Sequence, residues 1–251
     1  MLIAIPVFNE AAYLARVLRQ VSGFHRDILV VDDGSTDATP DILERLRPEL
    51  GLRVIRHPVN RGYGQSLIDA FNMADREGWD WTITMDCDEQ HEPEMIPEFI
   101  RMIEQDRWDI VSGSRYMQPR TDDDLPPVDR RSINATLTSM LNDLFHLGLT
   151  DAFCGFKAHR TSAMRRLRLD ESGYAFPMQL WPQVAWAGLR LTEIPVRLIY
   201  HDANRHFGGD LDDPSNRLEH YLRVLHHEVL RLATETPPGS DEPMAVCGCT
   251  C

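Results

Sequence analysis

The chain has 251 residues, of which 43% are hydrophobic and 26% are charged, values of an ordinary soluble globular protein. Its formal net charge of −13 argues against a nucleic-acid-binding surface and against tight docking on anionic lipid through charge alone. The length allows one large domain with a full hydrophobic core, or a domain with an appended lobe.

The N-terminus shows no targeting signal, because the strand-like LIAIPV replaces the basic and apolar regions of a signal peptide. No apolar run approaches the length that spans a bilayer. We therefore expect a cytoplasmic protein, either free or peripheral on the cytoplasmic face of a membrane. The five cysteines, three of which form a C-x-C-x-C ending, do not indicate a disulfide framework.

The first half of the chain alternates strand and helix patterns. Apolar runs at residues 2–7, 28–31, 52–55, 81–85 and 109–112 predict five strands, and apolar residues at helical spacing follow each of the first four. The loop NRGYG at residues 60–64 contains G-x-G, a weak phosphate-loop signal that lacks the spacing of a dinucleotide fingerprint. This alternation predicts an α/β fold with a mostly parallel sheet and helices on both faces.

Polar side chains follow several of these strands directly. Glu10, Asp33, Asp86 with Asp88, and Arg115 all lie just beyond a predicted strand end. In open α/β sheets, ligands bind beyond the carboxyl ends of the strands, so we expect these side chains to meet at one rim.

The fourth strand ends in three oxygen-bearing side chains at alternate positions, Asp86, Asp88 and Gln90. Carboxylates this close repel one another unless a cation or a tight hydrogen-bond network compensates them. Oxygen ligands suit a hard divalent ion, which predicts a site for Mg2+ or Mn2+. The alternative is an Asp-rich turn that only caps the following helix.

The second half is less regular. Residues 117–129 are acidic and contain prolines, which is typical of a mobile loop or lid. Arg130 and Arg131 then precede a helix with an apolar stripe, for which we favour core packing over an acceptor groove or a membrane contact. Residues 189–200 predict an edge strand and residues 216–233 a last amphipathic helix. We therefore predict one domain over residues 1–233 and a disordered tail over 234–251.

The order of motifs resembles inverting glycosyltransferases of family 2, most closely the dolichyl- or polyprenyl-phosphate mannosyltransferase branch. The matching motifs are IPVFNE at residues 5–10, VVDDGSTD at 30–37, NRGYG at 60–64, MDCDEQHEP at 85–93, GSRY at 113–116, CGFKA at 154–158, GYAF at 173–176 and EIPV at 193–196. Each motif alone is common, but the combination is specific and covers nearly all of the chain except the tail.

The resemblance implies a GT-A fold, a nucleotide-sugar donor, either GDP-mannose or a UDP-sugar, and Mg2+ or Mn2+. Position by position, it implies donor contacts for a set of residues comprising Pro6, Phe8, Glu10, Asp33, Asp86, Cys87 (through its backbone) and Arg205. It further implies metal ligation by Asp86, Asp88 and Gln90, and contacts to an acceptor phosphate by Arg115, Arg130 and Asn134. Asp88, Arg115 and Arg130 are the predicted catalytic residues.

The chemical class of the acceptor determines which side chains the site needs. A hydroxyl acceptor needs a general base, whereas an ionised phosphate needs positioning, which arginines provide. Between Gly173 and Gln183, where hydroxyl-using relatives place their base, this chain has no carboxylate. A polyprenyl phosphate is therefore favoured, although Asp151 or Glu171 would serve as base under a shifted alignment.

Departures from the family pattern leave alternatives open. The usual Ser-Lys pair of the C-terminal loop is replaced by His206 to Gly209, and without a membrane span a lipid acceptor requires peripheral membrane contact or a membrane partner. A transferase acting on a soluble or glycan hydroxyl and a non-catalytic nucleotide-sugar binding protein remain alternatives. A nucleotidyltransferase is disfavoured because no Gly-rich basic loop follows the first strand.

Overall fold

The computed structural model describes residues 1–88, 91–118, 123–199 and 208–235. The strands are β1 (Leu2–Val7), β2 (Ile28–Asp32), β3 (Arg53–Arg56), β4 (Trp81–Thr84), β5 (Ile110–Ser114), β6 (Lys157–Arg160) and β7 (Leu191–Pro195). The helices are α1 (Leu14–Phe24), α2 (Thr39–Leu50), α3 (Tyr63–Arg76), α4 (Ile96–Glu104), α5 (Val128–Phe145), α6 (Thr161–Met164), α7 (Phe176–Trp186) and α8 (Pro214–Ala233). Short 3-10 turns cover Pro93–Met95 and Gly209–Asp212.

The strands form one seven-stranded sheet in the order β3-β2-β1-β4-β6-β5-β7. All neighbouring strands are parallel except β6, which runs antiparallel to both β4 and β5. The predicted α/β fold with a mostly parallel sheet is confirmed, and the Pro195-containing strand lies at the sheet edge as expected. No helix in the described part of the chain is both long and apolar enough to cross a membrane.

Side chains of β1 show why the central strands read as unbroken apolar runs. Ile3 and Ile5 pack in the cluster that contains α1, α2 and Phe99 of α4, whereas Leu2 and Ala4 pack on the α3 side. Successive strand residues point to opposite faces, and both faces of β1 are covered. A further cluster joins α5, α7 and α8 beside the sheet.

Two elements were not anticipated. The strand β6 is four residues long, and its Lys157 and His159 are buried, so its sequence resembles an exposed loop. The helix α7 is buried around most of its circumference and contains Pro177 and Pro182, so it lacks the polar face of an amphipathic helix. In addition, α5 begins at Val128, which places Arg130 and Arg131 inside its first turns rather than before it.

Most of the predicted tail, residues 236–251, lies outside the described residues, as do residues 119–122 of the predicted lid. Thr234 ends α8, and Glu235 forms an ion pair with Arg168 at 2.9 Å. The single-domain boundary at residue 233 therefore stays a prediction.

The NRGYG loop packs against the backbone of residues 171–173. A Cβ atom at Gly62, where φ is +104°, would lie 2.3 Å from the Ser172 carbonyl oxygen, and one at Gly64 would lie 2.2 Å from the Glu171 carbonyl oxygen. The Gln65 amide also donates to Ser172 O at 3.0 Å. Close approach of two backbone segments thus explains this G-x-G without a phosphate-binding role.

Replacing Gly64 by alanine should lower the free energy of unfolding by about 1–3 kcal/mol, because the added methyl group would overlap the Glu171 carbonyl. Gly23→Ala is the matched control: it is also helical, meets nothing within 4 Å, and should be neutral or stabilising by up to about 1 kcal/mol. Urea unfolding measures both. Equal effects of the two substitutions would contradict the close approach.

Candidate active site

A cavity of about 520 Å³ opens at the carboxyl ends of the central strands. Ten of the twelve residues that the sequence assigns to a functional site line it: Pro6, Phe8, Glu10, Asp33, Asp86, Cys87, Asp88, Arg115, Arg130 and Asn134. The other two, Gln90 and Arg205, lie outside the described residues. The convergence at one rim is therefore observed, while the role of each side chain stays a prediction.

Asp86 and Asp88 form an acidic part of the cavity lining that follows β4. The Asp86 carboxylate accepts a hydrogen bond from the Tyr63 hydroxyl at 2.9 Å, and its other oxygen lies 3.2 Å from His91 Nε2. Burial and the neighbouring Asp86 charge raise the pKa of Tyr63 well above its ordinary value, so the phenol stays neutral and keeps donating. Tyr63 and His91 thus orient Asp86 from two sides.

Gly155, in the loop before β6, lies directly against Asp86. A Cβ atom at this position would lie 2.1 Å from Asp86 Oδ2. The loop is fixed because Thr84 Oγ1 donates to the Gly155 carbonyl at 2.8 Å. The carboxylate therefore occupies space that any residue other than glycine would fill.

The acids fit a divalent ion that shares its coordination with a ligand. Within residues 1–88, 91–118, 123–199 and 208–235, no group of three or more His, Cys, Asp and Glu side chains is placed to hold a metal. Two carboxylates, Asp86 and Asp88, line the cavity and are separated in sequence by Cys87 alone. Mg2+ commonly takes only one or two protein carboxylates and completes its shell with phosphate oxygens and water, so this oxygen donor set suits Mg2+ or Mn2+.

Both carboxylate oxygens of Asp33, which follows β2, make hydrogen bonds within the protein. Its Oδ1 accepts from the Arg61 amide at 2.8 Å and lies 2.6 Å from His57 Nδ1, and its Oδ2 accepts from the Gly62 amide at 2.8 Å. The His57 Nε2 atom in turn lies 2.9 Å from Asp69 Oδ2. Asp33 therefore fixes the NRGYG loop that forms one wall of the cavity.

The wall predicted for the nucleotide combines Pro6 of β1 with Phe8 and Glu10 of the loop that follows this strand. Asn9 holds this loop to the one after β2: its Oδ1 accepts from the Thr36 amide at 2.8 Å, and its own amide donates to Ser35 Oγ at 2.9 Å. Asn9 adopts φ of +56°, a conformation that asparagine tolerates better than most residues. Asn9 is not among the residues predicted for the site, although it lies within the IPVFNE motif.

A second part of the cavity lining is basic and includes Arg115, Arg130 and Arg217. Arg115 donates from Nε and Nη2 to the two oxygens of Asp151, at 2.6 and 2.9 Å. Asn134 donates to the same carboxylate at 2.8 Å, and Thr138 Oγ1 donates to Asn134 Oδ1 at 2.9 Å. Two of the predicted acceptor residues are therefore oriented by one buried acid.

Asp151 is unsuited to act as the general base that a hydroxyl acceptor would need. Its side chain is fully buried, and it is occupied by Arg115 and Asn134. Burial alone would raise the pKa of Asp151, but the charge and hydrogen bonds of Arg115 lower it to about 2. Glu171, the other open alternative, accepts from the Gly173 amide at 2.8 Å within its own loop.

Arg217 of α8, which is not among the predicted site residues, also lines the cavity. The signal that would have found it is the helical spacing of the buried positions in α8, which are Arg217, Tyr221, Leu225, Glu228 and Leu232. Tyr63 is also absent from the predicted site residues, because only the glycines of the NRGYG motif indicated a function.

Comparison with solved structures supports the class of fold. A structure of glucosyl-3-phosphoglycerate synthase from Mycobacterium tuberculosis in complex with Mn2+, uridine diphosphate and glucosyl-3-phosphoglycerate aligns with a TM-score of 0.67. The alignment covers 90% of this chain and 78% of that chain at 17% sequence identity. The architecture is the GT-A type of α/β fold.

The sequence comparisons give the family. Residues 2–168 match the family model described as "Glycosyl transferase family 2". The chain is therefore a member of glycosyltransferase family 2. The undecaprenyl-phosphate mannosyltransferase of Micrococcus luteus is 29% identical over 201 residues, covering 78% of this chain and 82% of the relative. The UDP-N-acetylglucosamine–dolichyl-phosphate N-acetylglucosaminyltransferase of Methanococcus voltae is 28% identical over 212 residues, covering 78% and 84%. The predicted family and fold are confirmed.

Gly155→Ala should lower the activity of the enzyme at least about 100-fold, because its methyl group would displace the Asp86 carboxylate by an ångström or more. Sugar-transfer or donor-hydrolysis assays measure the loss, and near-UV circular dichroism reports whether the fold is retained. Gly23→Ala provides the control. Unchanged activity in Gly155→Ala would show that the observed position of Asp86 is not required.

The Asp151 carboxylate should make stability depend on acid pH. Because its pKa in the folded protein, about 2, is below the unfolded value, it contributes about 2 kcal/mol at neutral pH. This contribution is fully present above about pH 5 and is lost as the pH falls through about 4 towards 2.

Asp151→Asn should lower the free energy of unfolding by about 3–5 kcal/mol near pH 7, since Arg115 loses its buried partner. Urea unfolding of both proteins between pH 2 and 7 should show this difference shrinking on acidification, whereas Asp143→Asn, at an exposed position of α5, should track the wild type. A difference that stays constant over this range would contradict the assigned pKa shift.

Proposed function

We propose that this chain is an inverting, metal-dependent glycosyltransferase that moves a sugar from a nucleotide-sugar donor to a polyprenyl phosphate. The observation that supports the proposal is that acidic and basic side chains line the same cavity. Asp86 and Asp88 line it after β4, Arg115 lines it directly after β5, and Arg130 and Asn134 line it from α5. Such a cavity suits a reaction between two anionic substrates, one neutralised by a cation and the other by guanidinium groups.

The donor is GDP-mannose or a UDP-sugar. The names of the relatives support both, since one is a mannosyltransferase and the other uses UDP-N-acetylglucosamine. The structural neighbour was solved with uridine diphosphate and Mn2+, which supports a nucleoside diphosphate at the acidic part of the cavity lining. Pro6, Phe8 and Glu10 would then contact the nucleoside.

Asp86 and Asp88 would hold the divalent ion, which stabilises the negative charge that develops on the leaving diphosphate. Tyr63 and His91 keep the Asp86 carboxylate oriented, so that little reorganisation is needed during the reaction. Arg115, fixed on Asp151, and Arg130 would orient the acceptor phosphate on the other side of the sugar. Attack from that side inverts the anomeric centre.

A phosphate acceptor also agrees with the absence of a suitable base in the basic part of the described site. The phosphate oxygen is already ionised at neutral pH, so no proton has to be removed before it attacks. The carboxylate nearest to Arg115, that of Asp151, is buried and ion-paired. The acceptor names of both relatives, undecaprenyl phosphate and dolichyl phosphate, support the same assignment.

The proposal is tested in two steps. Calorimetric titration with GDP, UDP and their sugar conjugates, each with and without Mn2+, should reveal one nucleotide whose binding is tight and metal-dependent. Transfer is then assayed with a polyprenyl phosphate and with the corresponding polyprenol. We expect transfer to the phosphate alone. Transfer to the alcohol instead would support a hydroxyl acceptor, and nucleotide binding without transfer to either would support a non-catalytic role.

Asp88→Ala should abolish transfer and remove the gain in nucleotide affinity that Mn2+ provides, because one of the two described carboxylates in the acidic part of the lining is lost. The melting temperature should stay close to that of the wild type. Asp143→Ala, which removes an exposed acid of α5, is the matched control and should keep full activity. Full activity in Asp88→Ala would refute the metal assignment.

A further inference from the structure

Arg217 has the location of a binding residue rather than of a surface arginine. It lies in the first turns of α8 and lines the cavity that contains Asp86 and Arg115, although its side chain is only 3% exposed. Removing a guanidinium group from water costs free energy that must be offset by nearby negative charge or hydrogen-bond acceptors. The acceptors and charges next to Arg217 therefore show how its guanidinium group is compensated and held.

Two contacts fix this guanidinium group at the wall of the cavity. Its Nη1 donates to the Leu211 carbonyl at 2.9 Å, and its Nη2 forms an ion pair with Asp129. Asp129 lies in the first turn of α5, immediately before Arg130, which lines the same cavity. One ion pair thus connects α8 to the helical turn that carries a predicted acceptor residue.

Aromatic side chains line the cavity together with Arg217. Tyr221, one turn further along α8, packs against Phe153 with ring centroids 5.3 Å apart, and both line the cavity together with Tyr174. Burial raises the pKa of Tyr221, while the charges of Arg217 and Arg130 oppose that rise, so both arginines act on the same hydroxyl group. This part of the cavity lining therefore combines two guanidinium groups with apolar ring surfaces.

We propose that Arg217 binds the acceptor phosphate together with Arg130, and that the rings of Phe153, Tyr174 and Tyr221 contact the first carbons of the attached chain. The ligand class is a phosphate monoester of an apolar alcohol. Each terminal nitrogen of Arg217 carries a second N–H besides the one used on Leu211 or Asp129, and these can donate to phosphate oxygens, while the aromatic surfaces bury the adjoining hydrocarbon. The inference rests on the proposed function and adds a residue and a subsite to it.

Farnesyl phosphate, a short soluble analogue, is the probe, and steady-state assays give separate KM values for probe and nucleotide sugar. Arg217→Gln should raise the KM for farnesyl phosphate at least about tenfold, since a charge-assisted hydrogen bond is worth about 1.5–3 kcal/mol. The KM for the nucleotide sugar should change less than about twofold. Arg217→Lys, which keeps the charge but not the fork, should show a smaller increase and provides a second test if the glutamine variant folds poorly.

Two further variants separate binding from structure. Arg223→Gln removes the same charge from an exposed position of α8 and should leave both KM values unchanged. Asp129→Asn keeps the Arg217 guanidinium but weakens its ion pair, so it should lower the melting temperature while raising the KM for farnesyl phosphate less than Arg217→Gln does.

An unchanged KM for farnesyl phosphate in folded Arg217→Gln would overturn this inference alone. Equal increases in that KM for Arg217→Gln and Asp129→Asn would also overturn it, because they would assign Arg217 a purely structural role. If the wild type transfers sugar to neither farnesyl phosphate nor a longer polyprenyl phosphate, the proposed function itself fails and the inference fails with it.

Discussion

The arrangement of the site depends on the buried ion pair between Arg115 and Asp151. Asp151 precedes β6, the antiparallel strand inserted between β4 and β5, and it holds Arg115 at the end of β5 and Asn134 on α5. Four residues later in the same loop, Gly155 touches Asp86 at the end of β4. A single loop therefore contacts both Arg115 and Asp86 and sets the positions of these two side chains relative to each other.

This coupling has an energetic reason. Each charged group lining the cavity is desolvated to some extent, and a desolvated charge is tolerated when it is paired or hydrogen-bonded. Asp151 compensates Arg115, Asp129 compensates Arg217, and Tyr63 donates to Asp86. The side chains are thus held in place before any ligand arrives, which limits the entropy lost on binding and the reorganisation needed during catalysis.

The same arrangement agrees with the chemistry proposed for this chain. A GT-A fold positions a nucleotide at the carboxyl ends of its strands, and family 2 members at about 28% identity carry names that specify transfer to undecaprenyl or dolichyl phosphate. An acceptor that is already ionised needs arginines to position it rather than a base to deprotonate it. The occupied state of Asp151 and the arginines of β5, α5 and α8 agree with that requirement.

The sequence by itself determined the alternating strands and helices, the mostly parallel sheet and the meeting of Glu10, Asp33, Asp86 and Arg115 at one rim, because the carboxyl ends of parallel strands share one edge. It did not reveal β6 or α7, whose buried polar residues and prolines obscure their periodicity. Nor did it reveal that Asp151 is an ion-pair partner, that Gly155 makes room for Asp86, or that Arg217 reaches the cavity. Those facts were decided by tertiary packing, since each depends on residues distant in sequence whose burial and partners are set only when the helices close over the sheet.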